Sequence, residues 1–161
     1  MADMIVKLYE LSRGAAAQAC ERCAGVSIRR AGAFERHQVV AWVEARFPPG
    51  WGSECRVAFS RQPISCFVAV KEGRLLGFAC YNTTARGFFG PTGVDEAARG
   101  AGVGTALLME SLEALMADGH AYAIIGGVGP RQFYERAVGA VEIPGSTPGL
   151  YRDRIKPSGG D

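Results

Sequence analysis

The six residues Arg99-Gly100-Ala101-Gly102-Val103-Gly104 stand directly ahead of a leucine-striped helical segment, a placement suited to holding an anion. A helix N-terminus presents backbone N–H groups that have no partner inside the helix, together with a partial positive charge. Glycines at 100, 102 and 104 let that backbone approach phosphate oxygens that a side chain would hold away. The same glycines could serve only to pack a strand against a helix, so the turn by itself does not choose between structure and binding. Two other phosphate motifs do not fit. A Walker loop needs a Gly-Lys pair, which the chain lacks, and a Rossmann Gly-x-Gly-x-x-Gly begun at Gly100 would need glycine where Thr105 stands.

Cysteine and histidine are the other residues with chemistry to offer. Cys20-Glu21-Arg22-Cys23 has the spacing of half a zinc site or a redox pair, but no second such pair exists and the only histidines are His37 and His120. Five cysteines, an odd number, argue against a disulfide framework. Cys66 and Cys80 lie in apolar runs, where a thiol behaves as a small hydrophobe. Reduced structural thiols and no metal are expected.

The elements that must position the glycine turn can be read from periodicity. Cys66 to Val70 and Leu75 to Tyr81 are apolar strand-like runs joined by the polar turn Lys71-Glu72-Gly73-Arg74, which predicts a hairpin. A third strand, Gly87 to Val94, follows Asn82-Thr83-Thr84 and completes an antiparallel meander. Pro91 lacks an amide hydrogen and is flanked by Gly90 and Gly93, so this strand is expected to bulge or splay. After the turn, Leu108, Leu112 and Leu115 recur at i, i+4 and i+7 in a helix from Thr105 to Ala117. The apolar strand Ala121 to Val128 returns through that helical crossover and should therefore be parallel to the strand before the turn. Gly129 and Pro130 open a short helix through Ala137.

Towards the N-terminus, Ile5 to Leu8 is a short apolar opening, Gly14 to Ala24 reads as a helix and Val26 to Ile28 as a strand. A helix from Phe34 to Phe47 is expected to end at Pro48-Pro49-Gly50, with another from Ser53 to Ser60. Val141 to Ile143 and Leu150 to Ile155 are candidate final strands, and Pro157 to Gly160 a loose tail.

With these elements around it, the turn resembles the coenzyme A loop of the GNAT superfamily of N-acetyltransferases, Arg/Gln-x-x-Gly-x-Gly/Ala, which Arg99 to Gly104 matches in full. Phe133-Tyr134-Glu135-Arg136 with Gly139-Ala140 is similar to a second segment of that family, and the resemblance covers about residues 66–141. It implies an α/β (α+β) fold: a mixed, mostly antiparallel sheet with helices on both faces, whose fourth and fifth strands splay to admit the coenzyme. Residues 1–161 would form one such domain, with 1–25 an N-terminal extension and 156–161 the tail.

The resemblance further implies that acetyl-CoA is the co-substrate. Gly93 and Val94 would run beside its pantetheine arm, and Arg99, Gly100, Ala101, Gly102, Val103, Gly104 and Thr105 would hold its pyrophosphate. Acetyl transfer to an amine would proceed by direct attack, with Tyr134 protonating the departing thiolate. A tyrosine on a short helix can equally be a packing residue. The general base stays unassigned: no carboxylate lies between Asn82 and Val94, and Glu54, Glu142 and His120 are candidates by position only. Trp51 and Tyr151 fall in regions that shape the acceptor pocket in similar enzymes. Gly127 stands where many members carry an asparagine, which opens an alternative, an acyl-CoA-binding sensor or partner subunit without turnover.

Composition bounds the partners. At 161 residues with 48% hydrophobic and 21% charged residues, the chain has a globular rather than a disordered profile. A net charge of +2 without a basic run disfavours nucleic acid as a partner. No apolar stretch is long enough to cross a bilayer and no signal-peptide pattern opens the chain, so a cytoplasmic location is expected. The expected partner is a small-molecule or peptide amine acceptor, and a homodimer is compatible with this reading.

Overall fold

Seven strands form a single sheet in a computed structural model that describes residues 1–156 and Ser158. In chain order they are β1 (Met4–Lys7), β2 (Ser27–Arg30), β3 (Cys66–Lys71), β4 (Arg74–Tyr81), β5 (Phe88–Val94), β6 (Tyr122–Ile125) and β7 (Val141–Glu142). Their spatial order is β2-β3-β4-β5-β6-β1-β7, and every neighbouring pair is antiparallel except β5–β6. The five α-helices are α1 (Ala15–Glu21), α2 (Arg36–Arg46), α3 (Pro49–Phe59), α4 (Val103–Ala117) and α5 (Arg131–Val138).

Strand alternation builds two cores. Along β3 and β4, Phe67, Ala69, Ala79 and Tyr81 face the layer of α1 and α4, while Cys66, Val68, Phe78 and Cys80 face that of α2 and α3. Because successive strand side chains point to opposite faces, both strands are apolar at nearly every position, as expected for a sheet covered on both sides. Leu107, Leu108, Leu112 and Leu115 of α4 are wholly buried in the first core, so the leucine stripe of the sequence is the inner face of this helix. The β3–β4 hairpin closes through Glu72 and Gly73, both with positive φ, the geometry of the two-residue hairpin turns whose twist matches that of the strands.

Several expectations are adjusted by packing. Residues 1–25, read as an extension, contribute β1, which fills the place between β6 and β7, and α1, which packs on α4. Pro48-Pro49-Gly50 ends one helix as expected, but Pro49 also begins the next: proline lacks only an amide that a first helical residue would leave unpaired, so α3 starts four residues before Ser53. The strand expected at Leu150 to Ile155 is instead a single 3-10 turn, Gly149–Tyr151, with Ile155 96% exposed and no strand edge beside it. The tail from Pro157 lies, apart from Ser158, outside the described residues. No helix among the described residues is long and apolar enough to cross a membrane.

Candidate functional site

The parallel strands β5 and β6 pair only at Phe88–Ile124 and Phe89–Ile125, although β5 runs on to Val94. The strand departs from its neighbour at Gly90, whose φ of +116° is open to glycine and strained for other residues. On its other side, the register with β4 jumps from Tyr81–Phe89 to Ala79–Thr92, leaving Cys80 opposite a bulge at Gly90 and Pro91. From Gly90 to Val94 the β5 edge that faces β6 therefore has no strand partner. Gly93 and Val94, expected to border the coenzyme arm, are on this open edge. The aromatic ring of Phe47 covers Gly93 so closely that a Cβ there would clash with the tip of the ring.

The glycine turn follows at the end of this edge. Asp95 accepts from Ala97 N–H at 3.2 Å and caps a 3-10 turn, Glu96–Ala98, and the Arg99 Nε–H returns to the Val94 carbonyl at 3.3 Å. Gly100 and Gly102 then take left-handed φ values of +84° and +83°, which turns the chain into α4. The first bond of that helix is Ala106 N–H to Gly102 O at 3.0 Å. Among the described residues, the amides of Gly100, Ala101, Gly102, Val103, Gly104 and Thr105 find no acceptor. Six successive unmatched donors at a helix N-terminus are suited to a pyrophosphate. Cys23, two residues past the end of α1, supports the loop, its thiol donating to the Ala101 carbonyl at 3.6 Å.

Tyr134 lies on α5 with 5% of its surface exposed. Its ring packs edge-on at 6.3 Å against Phe89, the last β5 residue paired with β6, so the phenol belongs to the place where the two strands part. Burial alone pushes its hydroxyl up to about 12, with no hydrogen-bond partner contributing. Phe133 braces the ring at 5.0 Å.

Residues far apart in sequence meet on the α2/α3 side of the opening. Glu54 of α3 accepts from the Thr84 hydroxyl, and Tyr151 lies close enough to Glu54 and Asp3 that, after burial, their negative charges raise its pKa. The Tyr151 ring stands beside Gly127, where a Cβ would be 3.8 Å from Cε2, and the Gly127 amide donates to Asp3 at 2.9 Å. Spacing offered no signal for this assembly, because its members come from the chain ends, α3 and two loops. Trp51 is placed differently: it stacks on Phe47 at 5.0 Å within an aromatic group that includes Trp42 and Phe78.

The other two base candidates stand elsewhere. Glu142 is ion-paired with Arg131 at the surface. His120 lines a polar cleft of about 380 Å³ with Arg61, Arg86 and Asp118, at the C-terminal end of α4 and thus about 22 Å along the helix from the glycine turn.

The profile of the Acetyltransferase (GNAT) family matches residues 32–140. No protein of curated function matches the sequence. Among solved structures, the chain is similar to the GCN5-related glucosamine N-acetyltransferase region of a fungal multi-domain GH3 beta-N-acetylglucosaminidase. That match has a TM-score of 0.71 at 16% identity and covers 88% of this chain and 19% of the other. A GCN5-related N-acetyltransferase from Sphaerobacter thermophilus gives 0.69 at 22% identity over 88% of this chain and 48% of its own. A GNAT family acetyltransferase from Brucella melitensis, solved in complex with acetyl-CoA, gives 0.52 at 22% identity over 67% of this chain and 80% of its own. The chain thus spans about a fifth and about half of the first two relatives. At these identities the structural likeness shows the fold, a mixed α/β arrangement around a mostly antiparallel sheet. The family profile covers more than half of the sequence, and with it the splayed strands and the glycine turn: the chain belongs to the acetyltransferase (GNAT) family.

Proposed function

We propose that this protein transfers the acetyl group of acetyl-CoA directly to an amine. The observation that carries the reading is the run of six unmatched amides, Gly100 to Thr105, at the end of the open β5 edge. A pyrophosphate on those amides would leave the pantetheine arm to run along Gly93 and Val94 towards the parting of the strands. The Brucella melitensis relative, which binds acetyl-CoA, supports this choice of co-substrate.

In this reading the amine nitrogen attacks the thioester carbonyl, the C–S bond breaks, and the departing sulfur takes a proton from Tyr134. An alkyl ammonium, with a pKa near 10.4, is mostly protonated at neutral pH and must first lose a proton. Glu54, half-buried and held by Thr84 beside Tyr151, is the base we assign to that step. With Asp3 nearby, the acceptor side carries two carboxylates, which favour a cationic amine over an anionic one.

A second reading, an acyl-CoA-binding module without turnover, is favoured by one observation: Gly127 offers the coenzyme no side chain. Thiol release from acetyl-CoA across a panel of primary amines separates the two. Catalysis predicts amine-dependent thiol together with an acetylated product of matching mass. Saturable acetyl-CoA binding with no thiol above the blank for any amine would support the binding module.

A further inference from the structure

Cys55, Cys66 and Cys80 come from three elements, α3, β3 and β4, and their sulfurs converge. Cys66 and Cys80 are register partners across the β3–β4 pair, so strand alternation sends both side chains to the face that α3 covers with Cys55. All three residues are completely buried, and their sulfur atoms lie within 4.8 Å of one another. Around them are Ala58, Phe59, Val68 and Phe78 of the second core. No histidine or carboxylate among the described residues joins the group.

Charge and coordination number decide what three such thiols suit. Tetrahedral zinc requires a fourth nitrogen, sulfur or oxygen ligand. Monovalent copper on three thiolates would leave a net negative charge in an apolar core, which desolvation opposes strongly. A trivalent centre on three thiolates is neutral. Thiolate bonds of about 2.3 Å at roughly 100° set sulfur–sulfur spacings of about 3.5 Å, within the 4.8 Å span that the three sulfurs already occupy.

We infer that Cys55, Cys66 and Cys80 form a three-thiol site for a trivalent thiophilic centre, of which arsenite is the aqueous form. Three S–As bonds form and three As–O bonds break. Each departing hydroxide leaves as water with one thiol proton, and no electron changes hands. The product pins α3, and with it Glu54, to the β3–β4 hairpin. The inference rests on the cysteine geometry and does not depend on acetyl transfer.

The test is to refold the full chain with arsenite and a phosphine reductant, so that burial does not block access, and then to weigh the intact native protein. One arsenic less three protons per chain is expected, with a raised Tm. The adduct should disappear in Cys55→Ala, Cys66→Ala and Cys80→Ala and persist in the double variant Cys20→Ser/Cys23→Ser. Absence of the adduct from the refolded native chain would overturn the inference. So would its loss in the Cys20/Cys23 variant or its survival in Cys55→Ala; the Cys20/Cys23 variant, which leaves the three-thiol group intact, decides the matter even where a Cys55, Cys66 or Cys80 variant fails to fold.

Discussion

Replacing Tyr134 by phenylalanine removes one oxygen and leaves the ring where it is, packed edge-on against Phe89 at 6.3 Å and against Phe133 at 5.0 Å. No protein hydrogen-bond partner contributes to the state of the hydroxyl, so its removal breaks no bond within the chain. The variant should therefore be about as stable as the parent at neutral pH. General acids contribute about 10²- to 10⁴-fold to rate. A thiolate, whose conjugate acid has a pKa near 8.5, is already a fair leaving group, which puts the expected loss in turnover near the lower end, about 10²-fold. Acetyl-CoA affinity should change little, since the phosphate donors are on another element.

Alkaline pH offers an independent check on the same side chain. Burial raises the Tyr134 hydroxyl from 10.0 to about 12, so the folded state holds this proton after the unfolded state has released it. Below pH 10 both states are protonated and the parent loses nothing. Between pH 10 and 12 its stability falls, by up to about 2–3 kcal/mol. Single-turnover thiol release, equilibrium acetyl-CoA binding and urea unfolding at pH 7 and 11 measure all three effects. Unchanged single-turnover chemistry in the phenylalanine variant would refute Tyr134 as the acid. An alkaline loss identical in both proteins would refute burial as the cause of its raised pKa.

Three further outcomes follow from named contacts. Gly102→Glu forces a side chain into φ +83° at a cost of about 1–2 kcal/mol and sets a carboxylate among the phosphate donors, so acetyl-CoA binding should vanish. Gly102→Ala carries the same strain and should keep measurable affinity by calorimetry; equal loss in both would show strain rather than charge. Glu54→Gln should lower the rate of amine acetylation while acetyl-CoA affinity holds, and retention of the full rate with saturating amine would remove Glu54 as the base. At the far edge of the sheet, bidentate hydrogen bonds from Arg29, at 2.6 and 2.8 Å, and then the Gly32 amide draw Glu35 from 4.5 down to about 2. This pair stabilises the fold above pH 4.5 and its contribution is lost as pH falls towards 2. Being partly exposed, it is worth about 0.5–1 kcal/mol, so Glu35→Gln should show that deficit in urea unfolding at pH 7 and none at pH 2.

The parts legible in sequence are those governed by local periodicity. The β3–β4 hairpin, the interrupted β5 and the leucine face of α4 each repeat at the period of their own element, and the proline in β5 marks where the ladder must break. Placement of β1 was hidden because four residues carry almost no pattern, and only the empty position between β6 and β7 selects them as a strand. Leu150 and Ile155 read as strand by apolarity alone, yet no neighbouring edge receives them and both side chains stay exposed. The Glu54, Thr84 and Tyr151 group is long-range and leaves no spacing at all. Cys66 and Cys80 were legible as buried thiols, but their meeting with Cys55 required the strand register and the early start of α3.

Whether the Gly100 to Thr105 amides hold the pyrophosphate of acetyl-CoA is decided by an amide-resolved NMR titration. Acetyl-CoA and acetyl-pantetheine, which lacks the pyrophosphate, are added to the same labelled chain. Large shifts of the six amides with acetyl-CoA are expected, while acetyl-pantetheine should move only those near Gly93 and Val94. Six unmoved amides at saturating acetyl-CoA would show that the pyrophosphate binds elsewhere.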